Sequence, residues 1–307
     1  MDKDSELSIT LGTRSSDLAM SQTGIVRKKL HSSGINSTVL KLRSRGDADL
    51  NIPLYKMKGN GVFVDELNSK VLDGTVDAVV HSAKDVPSVI DSGLEISAVM
   101  ERASPEDVLI SAVPLHSMPE GAIIGTSSIR RIRSLECSNR NIRTADIRGN
   151  VDSRIRKLKT GEYDGIVLAR AGLERLGINE NSYPLPLDEF VPAPNQGIIC
   201  VISLKNSNIS RIMKTISHEQ TMEEMRFERM IVESLDLGCS VPAGILCRKE
   251  IDRYVLTVRF YSLNDRRSIF LKNEVKGYED VEAVVDNIRS MFPSDFGYQL
   301  GGRSGKK

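Results

Sequence analysis

The chain contains no tryptophan, and only seven tyrosines and seven phenylalanines in 307 residues. Nucleic-acid surfaces lean on aromatic stacking and an excess of positive charge. Here 42 basic residues face 41 acidic ones, a net charge of +1. Neither nucleic acid nor a membrane surface is therefore expected as a partner through net charge, and any basic site must be a local cluster. Cysteine is scarce too. Cys137, Cys200, Cys239 and Cys247 form no C-x-x-C pair, and the four histidines pair with none of them at zinc-ligand spacing, so no metal site is expected. Burial as a small apolar side chain is the expectation for Cys137 and Cys200. No apolar run approaches the roughly 20 residues that cross a bilayer. The opening MDKDSELS is acidic and polar, unlike a secretory or transit segment. These absences point to a soluble, cytoplasmic chain.

What is present is an alternation. SITLGTR reads as a strand, SSDLAMSQTGIVRKKL as a helix capped near Ser15 or Ser16, NSTVLKLRS as a strand, VFVDELNSKVLDG as a helix ending at Gly74, and VDAVVHS as a buried strand. A second set follows: strand AIIGTSS, helix IRRIRSLECS, strand NIRTADIRG, helix NVDSRIRKLKTGE, strand DGIVLARAG and short helix LERLG. This rhythm predicts parallel or mixed sheets with helices on both faces. IICVISL is a further strand that can return to the first sheet, giving two α/β domains joined by two crossings, with a cleft at the strand ends. The last third changes to helix MEEMRFERMIVESLDLG, three antiparallel strands (AGILCRKE, RYVLTVRFYS, SIFLKNEV) and a closing helix, YEDVEAVVDNIRSMF. GGRSGKK reads as a disordered tail. The expected fold is α/β, with domain 1 over 1–101 and 197–218, domain 2 over 102–196, and a smaller α+β domain 3 over 219–307.

Three places carry chemistry. Arg130 and Arg131 follow GTSS at a strand-to-helix turn, where backbone N–H groups and the helix dipole favour an anion. Arg14 and Arg148 also sit where strands end, and guanidinium forks match carboxylates and phosphates. A solvated basic face is the alternative for these arginines, and the preferred one for Arg133, Arg156 and Lys159. Lys84 and Asp85 lie in HSAKDVPS after a strand, with Pro87 keeping Val86 extended. Asp85 there is either a turn cap or a ligand-facing carboxylate. Cys239, between small residues in LGCSVPAG, is either a buried thiol or an accessible nucleophile.

Taken together, GTRSSDLAMSQ, GNGVFVDEL, VDAVVHSAKDVPS, GTSSIRR, IRGNVDSRIRKL, DGIVLARAGLERLG, PAPNQG and ERMIVESLDLGCSVPAG resemble the hydroxymethylbilane synthase, or porphobilinogen deaminase, family over nearly the whole chain. The resemblance implies a monomeric, three-domain transferase of haem and other tetrapyrrole biosynthesis, its first two domains like hinged periplasmic binding proteins. It implies head-to-tail joining of four porphobilinogen molecules, with loss of ammonia, on a covalent dipyrromethane primer, followed by hydrolysis. It implies a thioether to Cys239, and catalysis by Asp85, whose carboxylate offsets the charge of the deaminated, azafulvene-like pyrrole. Cofactor contacts fall on Lys84, Asp85, Ser128, Arg130, Arg131 and Arg148. Substrate contacts fall on Arg14, Ser16, Arg148, Arg154 and Arg175. Each pyrrole brings two carboxylates, which accounts for clustered arginines in a chain of near-zero net charge.

Three positions depart from the family pattern. The glycine-rich loop reads KGNG, with Asn60 in place of lysine and Lys58 two residues before it. Leu237 replaces a glycine, and Asn195 makes PNQG of PGQG. Two other readings compete: an anion-binding protein on the same hinged fold, which needs no accessible Cys239, and a nucleic-acid binder using Arg130 to Lys159, which the composition disfavours.

Overall fold

The computed structural model describes residues 8–42, 62–138, 141–238 and 240–301. The chain divides into two units, Met1–Ala103 with Ile198–Met222, and Ser104–Gly197 with Glu223–Lys307. In chain order the first stretch holds β1 (Ser8–Arg14), α1 (Asp17–Ser32), β2 (Asn36–Leu42), α2 (Val62–Leu72), β3 (Ala78–Ser82) and β4 (Leu94–Val99). The second holds β5 (Asp107–Ser111), β6 (Ile123–Gly125), α3 (Ile129–Cys137), β7 (Arg143–Ala145), α4 (Val151–Lys159), β8 (Gly165–Ala169), α5 (Arg170–Leu176) and β9 (Ser182–Pro184). The chain then returns to the first unit as β10 (Ile199–Leu204) and α6 (Asn208–Thr215). Helix α7 (Glu219–Ser234), β11 (Ala243–Glu250), β12 (Arg253–Tyr261), β13 (Ser268–Val275) and α8 (Tyr278–Met291) complete it.

The first unit is built on a sheet of order β2-β1-β3-β10-β4. β1 runs parallel to β2 and β3, and β10 lies antiparallel between β3 and β4. The returning strand IICVISL thus joins the first sheet. One of its faces packs Ile9, Leu11, Ala78, Val80, Ile199 and Val201 against Val26 and Leu30 of α1 and Met213 of α6. The parallel pair brings the carboxyl ends of β1 and β3 to one edge, and the antiparallel β10 begins there too. The Ala83 N–H, just beyond β3, donates to the carbonyl of Ile198 at 2.9 Å.

The second unit holds two sheets. The larger has the order β7-β6-β8-β5-β9, with β6 parallel to β7 and β8 and β5 antiparallel to β8. Side chains alternate between its faces, as strand geometry demands. Val108, Ile110, Ile166 and Leu168 pack with Ile155 of α4 and Leu173 of α5, while Leu109 and Val167 pack with Leu135 of α3 and Phe190. The smaller sheet is the antiparallel β11-β12-β13. Phe227, Ile231 and Leu235 from α7 and its end, and Val281, Val284, Val285 and Ile288 of α8, pack with its Ile245, Leu256, Val258 and Phe260.

Some elements differ from expectation. α5 begins at Arg170, inside the segment that reads as strand through Gly172, and β7 keeps only three of the residues in NIRTADIRG. β4, β5, β9 and α6 are additional to the elements expected from the sequence. Cys200 and Cys247 are fully buried, whereas Cys137 is only half-buried, its thiol pushed up mainly by burial. Among the described residues no helix is long and apolar enough to cross a membrane. Residues 302–307 of the tail lie outside the described residues.

Candidate active site

In the first unit the candidate residues gather where β1 and β3 end. Arg14 is the last residue of β1. Ser16 caps α1, its Oγ accepting from the Ala19 N–H at 3.3 Å. Beyond β3 the chain makes a 3-10 turn, Ala83–Asp85, and leaves it through an extended Val86 (φ −80°, ψ 124°), as the following proline requires. The turn is anchored from below. Ala83 is buried, and Ser82 Oγ accepts from Gln22 Nε2 of α1 at 2.7 Å. Lys84 and Asp85 are exposed. Among the described residues no hydrogen bond reaches the Asp85 carboxylate. Two residues before the turn, His81 is buried beside Asn68 Oδ1 at 3.2 Å. Burial, and then the charge of Arg14, pull its pKa down to about 4. It is therefore neutral at physiological pH and adds no second cation beside Arg14.

In the second unit the parallel strands β6, β7 and β8 end at one edge, and the antiparallel β5 begins there. Ser128 is the N-cap residue of α3, its N–H donating to Thr126 Oγ1 at 3.3 Å. Arg130 and Arg131 follow in the first turn and are buried, at 5% and 9% exposure. Both grip Asp107, the first residue of β5. Arg130 Nη2 donates to Oδ2 at 2.8 Å and Arg131 Nη2 to Oδ1 at 2.7 Å. The other Nη of each donates to a carbonyl, of Val191 at 2.9 Å and of Val167 at 3.0 Å. Burial alone raises the Asp107 carboxyl, but the two guanidiniums outweigh it and hold it well below the usual carboxylate range.

Arg148 lies in the loop between β7 and α4. Arg154, on α4, donates from Nε to the Gly149 carbonyl at 2.8 Å; burial and then the nearby Arg131 lower its pKa. Arg175, at the end of α5, donates to the Gly197 carbonyl at 2.6 Å, and burial brings it down to about 10. Arg130 and Arg131 thus share one carboxylate, with Arg154 near enough to Arg131 to feel its charge, and the unbalanced positive charge suits a ligand with several carboxylates. The dipyrromethane implied by the sequence motifs carries acetate and propionate arms and fits that donor set. Arg133, read as solvated, is instead held by the Ser262 carbonyl at 2.6 Å and by the Asp265 carbonyl.

Cys239, Lys58 and Asn60 lie outside the described residues. Leu237 packs against the core of the small sheet. Asn195 has φ 62°, a left-handed conformation that favours glycine and that asparagine tolerates best among the others. PNQG is therefore a conservative change in backbone terms. Asp107, Gln196 and Glu228 are not among the candidate site residues expected from the sequence. The only signal for Asp107 was a carboxylate opening the apolar run DVLIS.

The chain matches the family described as porphobilinogen deaminase, dipyromethane cofactor binding domain, over residues 9–211. It is 46% identical over 290 residues to a protein of Picrophilus torridus named "Probable porphobilinogen deaminase", covering 94% of this chain and 99% of the relative. A Thermoplasma acidophilum protein of the same name is 42% identical over 294 residues, covering 96% and 100%. Among solved structures, lipoprotein Tp32 of Treponema pallidum aligns with a TM-score of 0.41 at 12% identity, over 73% of this chain and 98% of that one. That similarity is too low to carry an argument.

Proposed function

The chain belongs to the porphobilinogen deaminase family, and from that premise we propose which of its residues perform the family's reaction. It is a hydroxymethylbilane synthase, a transferase of tetrapyrrole biosynthesis with a dipyrromethane cofactor. Porphobilinogen is the substrate. Four molecules are joined head to tail, ammonia leaves at each step, and hydrolysis frees the linear tetrapyrrole.

Cys239 holds the cofactor through a thioether. When bound, the dipyrromethane supplies the pyrrole carbon to which the first monomer is joined. Ser128, Arg130, Arg131, Arg148 and Lys84 hold its carboxylates. Arg14, Ser16, Arg148, Arg154 and Arg175 hold those of the incoming substrate. Asp85 faces the pyrrole N–H groups and offsets positive charge as ammonia departs and the carbon–carbon bond forms. The observation that carries this reading is the second-unit edge, where Arg130 and Arg131 share one buried carboxylate and Arg154 lies near Arg131. Three sheets in one chain support three domains, 1–101 with 197–218, 102–196 and 219–307. A monomer in the cytoplasm, bound to neither nucleic acid nor membrane, completes the proposal.

Intact-mass spectrometry tests the covalent step. The purified protein should be heavier than its sequence by one dipyrromethane and should colour with an acidic aldehyde reagent. Cys239→Ala should lose both the mass and the colour. Retention of the added mass in Cys239→Ala would move the attachment elsewhere. Cys247 is a poor substitute, because it is fully buried within β11.

A further inference from the structure

The arginine pair of the second unit is held by more than its counter-ion. Asp107 Oδ1 accepts from Gln196 Nε2 at 2.8 Å as well as from Arg131, and the same Gln196 amide donates to the Pro105 carbonyl at 2.7 Å. Gln196 is 1% exposed. It ties the carboxylate to the backbone just ahead of β5 and so fixes the carboxylate plane, while each oxygen takes one guanidinium. The segment 191–196 reaches the pair twice, through the Val191 carbonyl on Arg130 and through Gln196 on Asp107. Between those points it is clamped to the small sheet and α7. The Pro192 carbonyl accepts from the Ile245 N–H at 2.9 Å, and Val191 lies so close to Gly244 that a Cβ there would come within 2.3 Å of its carbonyl oxygen. The Asn195 N–H donates to Glu228 of α7, which also accepts from the Cys247 N–H at 2.7 Å.

We infer that Asp107 and Gln196 are positioning residues for the capture of pyrrole carboxylates, acting through Arg130 and Arg131 without touching substrate themselves. The inference rests on the ligand-holding role proposed above for the two arginines. An arginine already fixed by its neighbours gives up little rotamer freedom when it takes a carboxylate, and its fork presents a defined geometry. Charge and position predict opposite signs. A carboxylate that served only as counter-charge would weaken anion binding, so its loss would tighten capture of an anionic pyrrole. A carboxylate that orients the forks would be missed, and its loss would weaken capture.

The test is steady-state kinetics with porphobilinogen on the full-length Asp107→Asn and Gln196→Met proteins, with intact mass and melting temperature measured on each. Gln196→Met keeps every charge, and its KM should rise by about tenfold while kcat stays within about twofold, the pattern of lost uniform binding. Asp107→Asn should raise KM at least as much. A folded Gln196→Met protein that never acquires its primer also supports the inference, since the same carboxylate capture has failed. A residue that merely maintained the fold would reduce the active fraction, and hence apparent kcat, and leave KM alone. An unchanged KM in Gln196→Met, whatever its melting temperature, overturns the inference, and so does a lowered KM in Asp107→Asn. If Asp107→Asn fails to fold, Gln196→Met decides alone. A parent protein without primer mass or turnover would instead refute the proposed function, so the two failures remain distinct.

Discussion

Asp85 and Arg130 stand at equivalent places, each just past the carboxyl end of a strand, yet their side chains have opposite fates. The Asp85 carboxylate is exposed and accepts no hydrogen bond among the described residues, whereas Arg130 is buried and engaged at both Nη atoms. The difference explains what each motif disclosed. HSAKDVPS is legible because a buried strand, a turn and a proline follow in order, and each local rule agrees with the next. GTSSIRR discloses two cations at a helix start but not Asp107, which joins them only because β5 pairs antiparallel with β8. A partner supplied by sheet register leaves no local trace in sequence. For Asp85 the competing role was a turn cap, and the two roles predict different behaviour. Asp85→Asn keeps size and most hydrogen-bonding capacity but removes the charge. Turnover should fall by about 10²–10³, the effect of losing one preorganised electrostatic group, with little change in melting temperature. Asp85→Glu should retain some turnover. A lowered melting temperature with near-normal turnover in Asp85→Asn would return the residue to the role of cap.

Elements with strong periodicity were readable and short ones were not. The helix after SITLGTR was placed within a residue of its observed N-cap, Ser16, because an N-cap hydroxyl and a helical apolar spacing coincide. β5 is five residues long and buried throughout, so it offers no alternation to detect. α5 occupies RAGLERL and begins directly after β8, with no turn or loop residue between strand and helix; over so few residues the two periods cannot be separated. The hairpin between β11 and β12 was legible as two strands, but its turn violates the usual chemistry. Glu250 pairs with Arg253 across a two-residue turn of Ile251 and Asp252, and Ile251 has φ 44° with 99% exposure. A β-branched residue pays a steric penalty there, with no packing to offset it. Ile251→Gly should therefore stabilise the protein by about 0.5–1 kcal/mol, the relief of strain exceeding glycine's greater freedom in the unfolded chain. Chemical denaturation of parent and variant measures it, and a lower midpoint in the glycine variant would contradict the strain argument.

At the scale of the whole molecule the α/β alternation and the return of IICVISL were legible, because both rest on many residues at once. The net charge of +1, by contrast, conceals how unevenly charge is distributed between surface pairs and buried groups. Two buried groups contribute to the response of stability to acid. His81 has an ordinary pKa of 6.5, which burial and then Arg14 lower to about 4 in the folded protein. Between those values the unfolded chain binds a proton that the folded chain refuses, so stability falls as pH falls through this window. The full shift corresponds to about 3 kcal/mol. Asp107 acts in the next window down. Its folded carboxyl is held well below the usual range against the opposing effect of burial, so its contribution is complete above the unfolded value and is lost as pH falls below about 4. The two losses have the same sign and succeed one another. Melting temperature should hold near neutrality, decline from about pH 6.5 to 4, and continue to decline below. His81→Gln keeps a polar side chain beside Asn68 but cannot take up the proton. It should flatten the upper part of the curve and leave the fall below about pH 4 intact. If parent and variant decline in parallel between pH 6.5 and 4, His81 is not the group that titrates there, and the neutral, buried histidine beside Arg14 is not what the acid response reports.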